Sequence, residues 1–350
     1  MKIICSKSNL LKSVNISLKA VPSKTTMPIL ECILMDATTN QIKFTTNDME
    51  LGIETIVDGH IEEKGMVALD AKIFYEIIRR LPDNDVTITT DSNFVATITC
   101  EKAKFTIPGK AGEDFAYLPV IEKDESLTLS QFTLKEMIRQ TIFSIAVNEN
   151  NRLMTGELFE IKDNCLKIVS LDGHRISIRK MPLKKEYSDR KIVVPGKTLN
   201  ELLKIISDDD LNVKIYFSEK HILFEFENFT VTSRLRDGEY TNYKNVIEKQ
   251  KNFEIELKVD TANVLSSLER AALIINADSA KSPLKLDIKD DEINVNCSSQ
   301  IGKISDVINA DALKSGELLI GLNQRYLYNV FRNCEKSEVL LDFISSRNPC

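Results

Sequence analysis

The chain has 350 residues, of which 43% are apolar and 28% are charged, and its net charge is −6. This length exceeds one ordinary domain, and the composition is typical of a globular protein rather than a disordered or collagen-like one. No apolar run reaches the ~18 residues of a membrane-spanning helix, and the start of the chain lacks the long apolar core of a signal peptide. Because the net charge is acidic, any surface for nucleic acid has to be local.

The seven cysteines are scattered, and none forms a Cys-x-x-Cys pair. This spacing predicts reduced thiols in a cytoplasmic protein rather than a disulfide framework or a zinc site. The three histidines do not lie at metal-ligand spacing from other ligands, so we predict no metal and no cofactor. They are His60, His174 and His221.

Six segments carry apolar residues at three- and four-residue spacing, which predicts amphipathic helices. In chain order they are Lys7–Lys19, Asp70–Arg80, Gln131–Val147, Lys197–Ser207, Asp260–Ile275 and Leu322–Asn333. Between the two helices of each set, residues alternate between apolar and polar, which predicts strands. Three such strands lie about 125 residues apart and begin at Ile42, Leu166 and Ile293. The second helices of the three sets are separated by the same interval. The chain is therefore predicted to contain three copies of one unit.

Each copy has the order strand, helix, several strands, helix, several strands. This order predicts an α+β fold in which two helices per copy are backed by antiparallel sheets. Polar stretches separate the copies, so we predict domains at residues 1–122, 127–247 and 253–350. The third copy ends sooner after its second helix than the other two, and we expect it to be truncated at its C-terminus by one to two strands.

Positive charge gathers on the predicted helices although the whole chain is acidic, and five of the six helices have a net positive charge. A single basic helix is usually a solvated surface. The same sign on nearly every copy favours one positive surface that binds phosphates. Because no zinc-finger pattern or basic aromatic segment is present, we do not expect this surface to read bases.

The stretch Leu166–Ile178 alternates, breaks at Asp172–Gly173 and alternates again, which predicts two strands joined by a tight turn. His174 and Arg175 follow the break. A polar hairpin tip is the ordinary interpretation, and the alternative is a hydrolase in which Asp172 orients His174, although no third partner is evident. The chain lacks nucleotide-binding, zinc-protease and serine-hydrolase motifs, so we predict that it is not an enzyme.

Four stretches carry a resemblance to a known family: Thr26–Leu30, Asp172–Arg175, Ile192–Lys197 and Arg270–Ala272. With them the whole chain resembles the bacterial DNA polymerase III beta subunit family of sliding clamps. The resemblance implies three DNA-clamp domains per chain and a head-to-tail homodimeric ring with helices around the hole and sheets outside. It also implies a non-catalytic processivity factor in DNA replication. The rival interpretation is a monomeric scaffold made of the same three repeats.

The resemblance implies that basic side chains on the helices and nearby loops face double-stranded DNA. The expected residues are Lys12, Lys24, Arg79, Arg80, Lys135, Arg139, Asn148, Arg152, Lys197 and Lys204. The family often has Arg at the position of Lys24 and aromatic residues at those of Arg152 and Leu153. This chain departs from the family there.

The resemblance also implies an apolar pocket for short linear peptides. The expected residues are Met154, Leu171, Gly173, His174, Arg175, Ile176, Thr241, Val246 and Ser346. Thr241 replaces a proline common in the family, which predicts a shifted peptide preference. The last strand of the family also contributes to this pocket, and it is the part that the third copy is expected to lack.

Self-association and partners follow from the same resemblance. Phe105 and Ile107 on one strand are expected to meet Leu273 and Ile274, on the fifth predicted helix, in a second copy of the chain. The expected partners are the replicative polymerase alpha subunit, the clamp loader, other polymerases and repair proteins. All of them are expected to bind through short linear motifs in the cytoplasm.

Overall fold

The structure is a computed structural model that describes residues 1–147, 151–248, 250–276 and 282–350. In these ranges the chain forms seven α-helices and 23 strands. No helix in them is long and apolar enough to cross a membrane.

The six predicted helices are present in the predicted order, and a short helix at Lys244–Glu248 is an additional element that the sequence analysis does not predict. The helices are α1 (Lys7–Ser17), α2 (Ala71–Arg80), α3 (Gln131–Arg139), α4 (Gly196–Leu202), α5 (Lys244–Glu248), α6 (Thr261–Asn276) and α7 (Gln324–Arg332). The strands of the first copy are β1 (Lys2–Ser6), β2 (Cys32–Asp36), β3 (Ile42–Asn47), β4 (Leu51–Val57), β5 (His60–Glu63), β6 (Met66–Asp70), β7 (Asp85–Thr90), β8 (Val95–Cys100) and β9 (Ala103–Ala111). Those of the second are β10 (Ser126–Ser130), β11 (Gly156–Lys162), β12 (Cys165–Leu171), β13 (Ile176–Pro182), β14 (Arg190–Pro195), β15 (Asn212–Phe217), β16 (His221–Glu225) and β17 (Phe229–Arg234). Those of the third are β18 (Ile255–Asp260), β19 (Leu284–Lys289), β20 (Glu292–Ser299), β21 (Gly302–Lys314), β22 (Glu317–Leu322) and β23 (Glu338–Phe343).

The predicted α+β class with antiparallel strands is confirmed, but two helices, α3 and α4, end well before their predicted last residues, Val147 and Ser207. The helix α3 ends at Arg139, and residues 142–144 form a separate 3₁₀ turn although the apolar spacing continues to Val147. The helix α4 ends at Leu202. Beyond it, the amides of Lys204 and Ile205 donate to carbonyls three residues back at 3.1 and 3.0 Å, which tightens the last turn away from α geometry.

The first helix of each copy begins with the same kind of side-chain N-cap. The last residue of the preceding strand turns its side chain back and accepts a hydrogen bond from a free amide in the first helical turn. Ser6 accepts from the amide of Asn9 at 3.2 Å, Ser130 from that of Thr133 at 3.1 Å, and Asp260 from that of Asn263 at 2.8 Å. Three strand-to-helix junctions are therefore built alike, as expected for three copies of one unit.

The chain divides into two compact units. Unit 1 comprises residues 1–138, 145–170 and 179–239, and unit 2 comprises residues 139–144, 171–178 and 240–350. In unit 1, Phe44 and Phe74 pack edge to face with ring centroids 6.1 Å apart in the core of the first copy. In unit 2, Phe331 and Phe343 are buried in the core of the third copy.

The described strands form three sheets. The largest has the order β10-β15-β16-β17-β4-β3-β2-β6-β9-β8-β7-β1-β5. The others have the orders β13-β12-β11-β14 and β22-β19-β20-β21-β18-β23. In the largest sheet β17 runs antiparallel to β4, with Phe229 opposite Thr55 and Ser233 opposite Leu51. This pairing joins the first and second copies through main-chain hydrogen bonds.

Residues 116–123, which we call the strap, follow the first copy and cross the sheet of unit 1 near the β17–β4 pairing. Asn47 donates to the carbonyl of Ala116 at 3.2 Å, and the side chain of Leu118 lies against Gly52 so closely that a Cβ there would clash. Further along, Ile121 packs on strands β15 and β16 of the second copy. The strap therefore covers the junction of the two copies from one side.

The end of the strap is fixed by an ion pair between Lys123 and Glu225. Tyr216 also donates to Glu225, at 3.0 Å. Burial raises the pKa of the Glu225 carboxyl, but hydrogen bonds from Lys123 and Tyr216 and the charges of Lys123 and Lys214 outweigh it, so the pKa is lowered overall. A carboxyl with a lowered pKa stabilises the fold above its unfolded pKa and stops doing so as the pH falls through the folded value.

We expect Glu225→Gln to lower the free energy of unfolding at pH 7 and to have a smaller effect at pH 3, below the ordinary glutamate pKa of about 4.3. Urea denaturation of both proteins at the two pH values measures the difference. Glu227→Gln, an exposed carboxyl two residues away, is the control and should change stability little at either pH. An equal loss at pH 7 and pH 3 would contradict the role of the Glu225 charge.

Candidate functional site

The hairpin predicted in the second copy is present, with a four-residue tip between β12 and β13. One carboxylate oxygen of Asp172 accepts from the amides of His174 and Arg175 at 3.0 and 3.2 Å. The amide of Asp172 in turn donates to the carbonyl of Arg175 at 3.3 Å. Gly173 has a φ of 86°, a region that glycine enters without a Cβ clash. The Asp-Gly break thus forms the turn for the reason that the sequence suggests.

The side chain of Arg175 is held at the base of this tip and is mostly buried. Its Nε donates to the second carboxylate oxygen of Asp172 at 3.0 Å, and only 16% of its side chain is exposed. Its guanidinium carbon lies 4.3 Å from the ring centroid of Tyr326 and 5.6 Å from that of Phe143. Within the described part of the chain its Nη1 is buried without a hydrogen-bond partner. Arg175 therefore orders the tip by stacking on two aromatic rings.

His174 is the exposed side chain of the tip. Its ring lies 6.0 Å from the ring of Tyr326 at an interplanar angle of 33°. Tyr326 lies in the first turn of α7, where its amide and that of Arg325 donate to the Asn323 side chain. Sequence patterns do not mark Tyr326 or Phe143 as site residues, because Tyr326 is distant from the hairpin along the chain and both residues belong to ordinary apolar patterns.

The hairpin does not provide a hydrolase centre. Both carboxylate oxygens of Asp172 are used by backbone amides and by Arg175, and the contact with His174 is made to its amide, not its ring. An orienting carboxylate has to bond the imidazole itself. Among the described residues, no group of three or more His, Cys, Asp and Glu side chains could hold a metal ion.

The other predicted pocket residues lie in both units. Leu171 is buried and Ile176 is half-buried, while Thr241 and Ser346 are exposed. Val246 lies on the short helix α5 and is 40% exposed. All of these belong to unit 2 together with Gly173, His174 and Arg175, whereas Met154 is half-buried in unit 1.

Most of the predicted DNA-facing cations are paired with carboxylates of the chain itself. The pairs are Arg79 and Arg80 with Glu76, Lys135 with Asp208, Arg139 with Glu335, Lys197 with Asp48, and Lys204 with Glu201. Within the described ranges Lys12, Lys24 and Arg152 are exposed and make no ion pair. Asn148, the remaining predicted residue, lies outside the described residues. The positive charge of the six paired side chains is therefore partly neutralised by their own neighbours.

The residues predicted for self-association are only partly exposed. Phe105 on β9 is 39% exposed and Leu273 on α6 is 74% exposed. Ile107 and Ile274 are half-buried and pack against the cores of their own copies. Phe105 also borders a surface cavity of about 320 Å³ in unit 1, whose other lining residues are Lys72, Ile73, Glu76, Ile77 and Arg80.

Comparisons with known proteins agree with this three-copy clamp architecture. Models of the DNA polymerase III beta subunit match the chain in three parts: the N-terminal domain at residues 1–119, the central domain at 128–242 and the C-terminal domain at 249–350. The beta sliding clamp of Staphylococcus epidermidis is 31% identical over 100% of this chain and 94% of its own length.

Solved structures give the same result. A crystal structure of a putative DNA polymerase III beta subunit from Eubacterium rectale has a TM-score of 0.96 and 52% identity, and covers 100% of this chain and 95% of that chain. The sliding clamp of Bacillus subtilis has a TM-score of 0.95 and 30% identity, with coverage of 99% and 94%.

The fold is that of a three-domain DNA clamp. The chain belongs to the DNA polymerase III beta subunit family, the bacterial sliding clamps. Its function is that of a non-catalytic DNA sliding clamp in replication, as the resemblance implied. Neither the hydrolase nor the monomeric scaffold is favoured.

We expect Tyr326→Ala to loosen the hairpin tip, because it removes the nearer of the two rings on which Arg175 stacks. A stacked cation is worth about 1 kcal/mol, so amides around residues 172–176 should exchange hydrogen roughly fivefold faster. Hydrogen exchange followed by mass spectrometry measures this. Tyr326→Phe keeps the ring and is the matched control. Equal exchange in both variants would show that the stacking does not order the tip.

Proposed function

We propose that two copies of the chain associate head to tail into a ring that encloses duplex DNA. The observation that supports this best is a pair of open strand edges. In the described structure, residues 103–107 of β9 pair with β8 on one side only. Likewise, residues 302–308 of β21 pair with β20 on one side only. The edge of β9 in one copy would continue the sheet of β21 in the other, and two such contacts close a ring.

Apolar side chains lie beside both open edges. Phe105 and Ile73 border the cavity next to β9, and Ile73 is 51% exposed. Leu273, 74% exposed on α6, and Val307, 50% exposed on β21, are apolar groups of unit 2 without cover in the chain itself. We infer that Phe105, Ile107, Leu273 and Ile274 belong to the contact between copies, with Leu273 entering the cavity. Burial of exposed apolar area of this kind drives stable association.

A closed ring stays on DNA because of its topology, so strong contacts with the phosphates are not needed. Lys12, Lys24 and Arg152, which make no ion pair within the described ranges, would attract the DNA backbone without reading bases. The cations that are already paired with carboxylates would add little. This distribution supports weak, sequence-independent contact that allows sliding.

The hairpin supports a docking site for short linear peptides. Leu171, Ile176 and Val246 would supply apolar surface, and His174 would place an exposed ring at its edge. The proposed site also includes Gly173, Arg175, Thr241 and Ser346, while the assignment of Met154 stays a prediction from the sequence. One or two buried apolar anchors contribute about 1.5–3 kcal/mol each. After the costs of ordering a peptide, micromolar binding of about −8 kcal/mol is expected.

The proposed occupants of this site are the replicative polymerase alpha subunit, the clamp loader, other polymerases and repair proteins. Micromolar affinity would let them exchange while the ring stays on DNA. We also propose a cytoplasmic location, which the scattered spacing of the seven cysteines supports. The domain limits 1–122, 127–247 and 253–350 stay a prediction.

Retention on circular DNA tests the ring. The chain is assembled on a nicked circular plasmid with a clamp loader and ATP, and the complex is separated from free protein by gel filtration at high salt. Because a ring leaves DNA only over an end, we expect retention on the circle and loss after cleavage with a restriction enzyme. Equal retention on circular and linear plasmid would contradict an enclosing ring.

The contact between copies is tested by Phe105→Arg. A charge at this position would be buried without a partner in the assembled ring, so we expect the dimer to dissociate into monomers. Multi-angle light scattering measures the mass. Phe132→Arg changes the same residue type at a site of similar exposure, 49%, and should leave the dimer intact. A dimer in both variants would rule out β9 as the contact.

A further inference from the structure

The strap and the four residues before it are similar in sequence to the segment that carries Thr241 and Val246. Residues 112–123 and 238–249 are identical at seven of twelve positions, and both end in Val-Ile-Glu-Lys. In this alignment Val120 is the counterpart of Val246, and Tyr117 is the counterpart of Tyr243. The first copy thus repeats the element that follows the second copy in the proposed peptide site.

The hairpin tip also has a counterpart in the first copy, between β3 and β4. There a carboxylate oxygen of Asp48 accepts from the amides of Glu50 and Leu51 at 3.0 and 2.7 Å, which matches the bonds of Asp172. The position of Gly173 is taken by Met49, with a φ of 74°. A methionine is strained in this region, and its side chain is also 56% exposed. Backbone strain and an exposed apolar side chain together point to a function outside the fold.

Both elements lie in unit 1, and each of them exposes apolar side chains. The bond from Asn47 to the carbonyl of Ala116 joins the hairpin to the strap. Leu118 and Ile121 face the sheet, while Tyr117 and Val120 are 63% and 98% exposed.

Carboxylates lie along the chain on both sides of the exposed apolar residues. They are Glu113 and Asp114 before them and Glu122, Asp124 and Glu125 after them. All five are exposed, and none of them makes an ion pair within the described part of the chain. Lys123 lies among the later carboxylates, but its charge is paired with Glu225, so both flanks are acidic overall. An apolar centre with acidic flanks is complementary to a segment with apolar anchors and basic flanks.

We propose that Met49, Tyr117 and Val120 form a second docking site, which binds a short segment of a partner protein with apolar anchors flanked by Lys or Arg. This second site is additional to the proposed function, and it rests on the same mode of peptide binding that we propose for the hairpin. The acidic flanks repel phosphates, so nucleic acid and anionic membranes are unsuitable occupants. The tip of the second copy carries His174 in place of the acidic Glu50. The two sites therefore select different peptides, and one chain can hold two partners at once.

Two fluorescein-labelled probes test the proposal by fluorescence anisotropy with the full chain. One is Lys-Arg-Ser-Leu-Phe-Leu-Ser-Arg-Lys, and the other replaces its four basic residues with Asp and Glu. We expect Tyr117→Ser with Val120→Ser to weaken binding of the basic probe by about tenfold or more, since two anchors are removed. These side chains are exposed, so the variant should fold, which circular dichroism checks. Leu319→Ser, 62% exposed on β22, is the control.

The two proposed sites are separated by His174→Ala. This variant should weaken the acidic probe and leave the basic probe unchanged. The second site is overturned if the basic probe fails to bind, if the strap variant binds it as tightly as the unaltered chain, or if His174→Ala or Leu319→Ser weakens it equally. Failure of His174→Ala to affect the acidic probe would count against the hairpin pocket alone.

Discussion

The antiparallel pairing of β17 with β4 is the constraint on which the arrangement of unit 1 depends. It joins the second copy to the first through main-chain hydrogen bonds, which are directional and leave little freedom in the angle between the copies. Strand twist accumulates through such a sheet, so this pairing also sets how the strands of the second copy are rotated relative to those of the first. The proposed ring needs a fixed angle of this kind wherever two copies meet.

The hairpin tip and the basic helices both pair carboxylates with cations, but the pairing has a different effect in each place. At the tip, Asp172 and two aromatic rings immobilise Arg175, and a rigid surface reduces the entropy lost when a peptide binds. On the helices, carboxylates such as Glu76 and Asp208 neutralise neighbouring cations. If the proposed sites are correct, order at the hairpin favours peptide binding, and weak attraction at the helices allows the ring to slide on DNA.

The sequence predicts features whose cause is local. The hairpin follows from alternation and the Asp-Gly pair, and the three copies follow from patterns that recur at a fixed interval. The predicted end of α3 at Val147 was wrong. The helix ends at Arg139, although the apolar spacing continues through Ile142. Tyr326 and Phe143 were missed, since a contact between side chains far apart in the chain leaves no periodic signal. The same holds for Lys123 and Glu225, which lie 102 positions apart.

The open edge of β9 has a consequence for the chain before it assembles. The unpaired main-chain groups of a free strand edge can pair with any other exposed strand. A single chain exposes this edge until a second copy binds to it in the proposed ring. Lys104 and Pro108 lie on this strand, a charge and a residue without an amide proton. Both features disfavour nonspecific strand pairing, so they would protect β9 from aggregation before the proposed contact with a second copy forms.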